Sequence, residues 1–234
     1  MKDSFQRIQD EVVVCRRCPR LTAWREEVAV TRKRATRDQT YWGRPVPAFG
    51  DPTGRVAILG LAPAAHGANR TGRQFTGDAS GDWLFRALHR AGFASQAESV
   101  SRDDGMVLVD ALITSPVRCA PPGNKPNRVE MEACRPFLVR ELQVLESTEI
   151  VVALGGIAWR TYFQTVKSLG LPAPRPRPRF AHGAVVDEGL PHVLVGSFHP
   201  SRLNTQTGRL TEAMLDDVFG LVRERLGRRP IAAK

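Results

Sequence analysis

The sequence predicts an α/β fold, a mainly parallel sheet layered with helices. Three observations lead there. Four short apolar runs have the length of buried strands. Segments of helical character lie between them. The composition, 42% apolar and 25% charged over 234 residues, is that of a globular chain long enough to bury a core.

In chain order, residues 3–14 predict a short helix leading into a cysteine pair. Residues 25–50 are rich in charge, proline and glycine, and read as a long basic connection. The run 56–60 (VAILG) is the first strand. Residues 61–79 carry no period and read as a loop. Ser80 or Asp82 is the expected cap of the next helix, whose face is marked by Trp83, Leu84, Leu88 and Ala91 before Gly92 ends it. Residues 106–114 predict the second strand, 128–146 a helix and 149–154 the third strand. Gly155-Gly156 opens a helix to about residue 169. The alternating prolines of 171–180 (LPAPRPRPRF) exclude a regular element. Residues 192–198 predict the fourth strand and 210–226 a closing amphipathic helix. Ligands of such sheets bind beyond the C-terminal strand ends. Here those ends are at Gly60–Pro63, Thr114–Pro116, Gly155-Gly156 and Ser197–Pro200.

A formal charge of +10 favours a polyanionic partner, with nucleic acid the commonest. No apolar run approaches the roughly 18 residues of a membrane span. The opening MKDSFQRIQDE has no apolar core of a signal peptide, so the expected location is the cytoplasm, with no membrane partner.

Cys15, Cys18, Cys119 and Cys134 are the only cysteines. In a reducing compartment two disulfides are disfavoured. From spacing alone, zinc and an iron–sulfur cluster both remain open. Arg16, Arg17, Arg118 and Arg135 would offset clustered thiolate charge. Ligands split this way would staple residue 15 to residues 119–134, which argues for one domain over 1–234.

Two segments carry the chemistry. In 60–78 (GLAPAAHGANRTGRQFTGD), glycines 60, 67, 72 and 77 permit close backbone approach to a ligand. Phe75 is a candidate stacking plate or a loop anchor in the core, and Asp78 a lone carboxylate or a helix cap. No lysine followed by Ser or Thr completes a phosphate loop. In 198–204 (FHPSRLN), a neutral His199 is a candidate donor to developing negative charge. Ser201 is a candidate phosphate holder, and Arg202 and Leu203 a duplex wedge.

Together with VRCAPPGNKP (117–126) and the four cysteines, these runs resemble the family 5 uracil-DNA glycosylases, the iron–sulfur type B enzymes. Family 4 relatives carry Glu where Leu61 stands. The resemblance implies an α/β/α sandwich around a four-stranded parallel sheet. It also implies a [4Fe–4S] cluster on the four cysteines, and a monomer acting on uracil-containing DNA in a bacterial or archaeal nucleoid. The implied reaction is release of uracil, and of other deaminated bases such as hypoxanthine, from a flipped-out nucleotide. His199 would donate to the departing base and Asp78 would serve the attacking water. Leu61 and Ala62 would offer backbone donors. Phe75 would stack on a base seated between it and His199. Arg70, Arg73 and Ser201 would hold phosphates, and Arg202 and Leu203 would fill the gap in the duplex. Ser115 stands where relatives often carry a base-reading Asn, which implies a tolerant pocket. Asn124 belongs to the cysteine-loop motif and is not expected to replace that Asn. The alternative is a noncatalytic iron–sulfur protein that binds nucleic acid.

Overall fold

A computed structural model describes residues 3–228. In chain order its elements are helices α1 (Phe5–Val13) and α2 (Pro19–Thr31), strands β1 (Phe49–Gly50) and β2 (Val56–Leu59), and helices α3 (Ala68–Thr71) and α4 (Ala79–Arg90). Then come β3 (Ala111–Thr114), α5 (Arg128–Val144), β4 (Ile150–Leu154), α6 (Gly156–Ser168), β5 (Val185–Val186), β6 (Val193–Ser197), α7 (Arg202–Gln206) and α8 (Glu212–Arg228).

The sheet has six strands in the order β1-β3-β2-β4-β6-β5, not four. The four expected strands form its parallel centre, and β1 and β5 pair antiparallel at the two edges. Each edge strand is two residues long, too short for an alternating pattern to register. The central strands are buried on both faces, which explains their unbroken apolar runs. Val56, Ile58, Ile113, Ile150, Val152 and Val195 pack one face against Leu84, Phe85 and Leu88 of α4 and Leu215 and Phe219 of α8. Ala57, Leu59, Val151, Ala153 and Leu194 pack the other against Leu138 of α5 and Trp159, Tyr162 and Phe163 of α6.

Three expectations shift. Residues 25–31 are not connection but the second half of α2, started by Pro19 at the first helical position. The second strand begins only at Ala111, because Asp110 takes a left-handed turn (φ 58°) and its carboxylate accepts hydrogen bonds from the Arg55 amide and guanidinium. The cap of α4 is Asp78, whose Oδ1 accepts from the amides of Ser80 (2.9 Å) and Gly81 (3.1 Å); neither Ser80 nor Asp82 does this.

A buried carboxylate helps tie α1 to the sheet. Glu141 of α5 is fully buried. It accepts from Gln9 Nε2 (2.8 Å), from Thr114 Oγ1 at the end of β3 (2.8 Å) and from Arg118. Gln9 Oε1 in turn accepts from the amide of Ala48. Glu141→Ala leaves Arg118 buried without its anion, a change that costs about 3–5 kcal/mol. The expected outcome is an unfolding free energy lowered by that amount, with the urea midpoint lowered in proportion, measured by circular dichroism. A shift within the scatter of a surface substitution would contradict the assignment.

Candidate active site

β3 lies on one side of β2 and β4 on the other, so the chain reverses its direction of winding at β2. Such reversals open a crevice beyond the strand ends. A cavity of about 600 Å³ lies there. Its walls come from Leu61 to Asp78 after β2, from His199 to Arg202 after β6, from Asn124, and from a 3₁₀ turn around Lys33–Thr36.

Residues 60–78 fold back on themselves. A Cβ on Gly67 would stand 1.8 Å from Asp78 Oδ2, and one on Gly60 would stand 2.8 Å from the Phe75 ring. These glycines therefore admit side chains of their own loop, rather than a ligand as expected. Phe75 takes a left-handed backbone (φ 51°), a conformation that costs a bulky residue of order 1–3 kcal/mol and that this packing holds in place. Asp78 is largely withdrawn from water, and burial raises its carboxyl above the usual aspartate range, against the two amide bonds it accepts. No hydrogen bond from the amides of Leu61 or Ala62 occurs among the described residues, so both remain available beside the cavity.

His199 follows β6 directly. Its backbone carbonyl is held by the Ser201 amide (2.8 Å) and by Asn204 Nδ2 (2.8 Å). The preceding residue is braced too, because the Phe198 amide donates to His182 Nδ1, whose Nε2–H donates to Met214 O. Burial pushes the His199 imidazole down to about 4, so the ring is neutral near pH 7. Its centroid lies 5.7 Å from that of Phe75, tilted by 33°. The two rings are in contact with each other. They are not opposing walls with a base between them, because that spacing leaves no room for a third ring.

The four cysteines, far apart in sequence, line one small cavity together with Arg17, Arg118 and Phe137. All four are free thiols. Burial pushes Cys119 up to about 11 and Cys134 up to about 12, so thiolates there require a cationic body to bind. Cationic groups also surround the thiols. The buried Arg25 donates to Cys119 Sγ (2.9 Å), and Arg25 Nε and Arg118 Nε and Nη1 lack partners among the described residues. No three side chains among the described residues are gathered as ligands of one metal ion. Four thiols around a cavity, with orphaned donors behind them, fit an inorganic core larger than one ion, cationic itself and bearing acceptor sulfides. Cys18 and Cys119 also pack with Leu21, Val117 and Ala62, so this cavity abuts the wall of the larger one.

The family model of the uracil DNA glycosylase superfamily matches residues 47–222. A type-5 uracil-DNA glycosylase of Mycobacterium leprae is 51% identical over 217 residues, 92% of this chain and 93% of its own. One from Thermus thermophilus is 49% identical over 208 residues, 89% of this chain and 92% of its own. The chain belongs to the type-5 uracil-DNA glycosylases. A type-4 enzyme of Thermotoga maritima is more distant, at 26% over 70% of this chain and 74% of its own.

Within this type-5 framework Leu61, Ala62, Phe75, Asp78, His199, Ser201 and Arg202 share one cavity. Leu203 stands beside it, 72% exposed. Three expected residues do something else. Arg73 is buried, with Nη2 on Asp104 (2.6 Å) and Ser99 (2.7 Å), and holds the loop from beneath; no phosphate can reach it. Arg70 lines the cavity, but its guanidinium is engaged by the carbonyls of His66 and Gly77 and by Gln39. Ser115 is buried, donates to Val117 O (3.0 Å) and accepts from Gln74, so it does not face a base. Sequence reasoning missed Gln74, Asn124, His66 and Lys33 as cavity residues. Asn124 was hidden by its place in a cysteine motif; its left-handed backbone (φ 57°) turns it toward the cavity rim. Lys33 was hidden in a basic stretch with no period.

Between pH 6.5 and about 4 the unfolded histidine binds a proton that folded His199 does not, so this group's contribution to stability falls as pH falls through that window. Heteronuclear NMR of the imidazole should give a midpoint near 4 in the folded protein. A midpoint near 6.5 would show that the ring is solvated.

Proposed function

We propose that this type-5 uracil-DNA glycosylase hydrolyses the bond between C1′ and N1 of a flipped-out deoxyuridine, leaving an abasic site. The observation that carries the reading is a neutral His199 and a desolvated Asp78 in one cavity beyond the sheet. As the C1′–N1 bond breaks, its electron pair moves onto the base. The uncharged His199 donates a hydrogen bond to the oxygen where that charge collects, and the free amides of Leu61 and Ala62 add donors. The sugar becomes cation-like, and the Asp78 carboxylate beside it stabilises that charge. A water then bonds to C1′ and gives its proton to Asp78. Phe75 offers an apolar face to the base, and Asn124 an amide at its edge. Arg202 and exposed Leu203 enter the duplex at the vacated position, and Ser201, which caps α7 through Asn204 N, steers a flanking phosphate. Loss of the hypoxanthine or uracil base from DNA follows the same steps, and a cavity of about 600 Å³ has room for a purine.

Cys15, Cys18, Cys119 and Cys134 would hold a [4Fe–4S] cluster. When bound, it supplies a covalent staple between the first residues, the cysteine loop and α5, rather than redox chemistry. Aerobically or anaerobically purified protein should be brown, with iron and sulfide at roughly four each per chain. Cys119→Ser should lose both. Colourless protein carrying zinc would refute this part alone.

Release of uracil is tested on a uracil-containing oligonucleotide, with hot alkali to reveal abasic sites. Unbroken strands would refute the enzymatic reading. Asn keeps the helix cap of Asp78 while removing its charge, so Asp78→Asn tests chemistry at constant fold. We expect single-turnover cleavage to fall about 10–100-fold in this variant, and about 100–1,000-fold in His199→Ala. In the unaltered protein, cleavage should fall as pH drops, with a midpoint above the ordinary aspartate value, because Asp78 must be ionised. That limb should vanish in Asp78→Asn. His199 stays neutral until about pH 4 and should add no limb above it.

A further inference from the structure

Gln74 sits in the cavity wall with 1% of its surface exposed, and its orientation is forced by its neighbours. Its side-chain nitrogen lies 3.3 Å from the carbonyl oxygen of Val46 and 3.2 Å from Ser115 Oγ. The carbonyl can only accept. The single proton of Ser115 is already donated to Val117 O (3.0 Å), so Oγ also accepts here. An amide oxygen in that position would face two acceptors, so both N–H bonds must point there. The amide oxygen Oε1 is left over. It has no partner among the described residues, and it is not among the buried atoms sealed from solvent without one. Gln74 lines the cavity, and this oxygen is the polar atom it has to offer there.

An unpartnered, rigidly held acceptor in a base pocket selects for an N–H on the base. Deamination supplies that mark. Cytosine and adenine present a bare ring nitrogen beside their amino group. When the amino group is replaced by a carbonyl, that nitrogen gains a proton, at N3 of uracil and N1 of hypoxanthine. We propose that Gln74 reads this proton, and so favours lactam-bearing bases over cytosine and adenine, whose bare ring nitrogen would oppose acceptor to acceptor; thymine and guanine carry the same N–H and are excluded by other contacts, not by this one. The proposal rests on the glycosylase reading above and adds to it a specificity-determining residue. Ser115 then acts as a positioning residue. It holds the amide from behind rather than touching the base.

The test compares single-turnover release of uracil and of N3-methyluracil, which lacks the proton, from otherwise identical oligonucleotides. Unaltered protein should release uracil at least about 30-fold faster, the effect of leaving one buried acceptor unpaired. Gln74→Met keeps the side-chain length and should lower the uracil rate and shrink that ratio at least about 10-fold. Affinity for abasic product DNA, which carries no base, should be retained. Ser115→Ala removes one anchor and should shrink the ratio by a smaller factor. Equal release of both bases by unaltered protein overturns the proposal without any variant. A ratio unchanged in both variants overturns it too. Absence of uracil release from unaltered protein is a different result, and it refutes the glycosylase reading itself.

Discussion

The fully buried Glu141 carboxylate is the constraint on which the arrangement rests. It gathers a glutamine from the first helix, a threonine from the end of a central strand and an arginine from the cysteine loop. A buried anion is costly unless surrounded by donors, and here all three reach it at once. That arrangement fixes Cys119, next to Arg118, relative to the sheet. It also fixes α1, which carries the chain toward Cys15 and Cys18. The cysteine cavity and the active-site cavity thus share a scaffold before any metal is considered.

Desolvation works in opposite directions at the two side chains proposed to react. It keeps the His199 ring uncharged and raises the Asp78 carboxyl. A neutral donor answers to charge that appears only as the base departs, whereas an imidazolium would attract anions in the resting protein as well. A desolvated carboxylate interacts strongly with a cation-like sugar because no water screens it. At Asp78 this follows from how closely residues 60–78 pack against themselves, and at His199 from burial beside Phe75 and Gly155. Asp78 illustrates the economy of that packing, since one oxygen caps α4 while the other lies against Gly67.

Much of the fold was legible because buried parallel strands are unbroken apolar runs and helices show their caps and breakers. The edge strands were not legible, since two residues carry no period. Nor was the continuation of α2, because its charged residues conceal Arg25, which is buried to reach Cys119. At the site, the motif residues Phe75, Asp78 and His199 were readable from their segments. Arg73 and Ser115 misled, because residue type alone does not say whether a side chain points into a cavity or beneath it.

By itself, then, the sequence determined the strand and helix order, the family, the four thiols and the two chemical segments, all of which are local patterns. Only the tertiary structure decided which residues meet. Phe75 touches His199, Gln74 is pinned between Val46 and Ser115, and Arg25 reaches across to Cys119. The physical reason is that orientation inside a packed core is set by hydrogen-bond satisfaction and excluded volume among residues distant in the chain, and neither is written in any single segment.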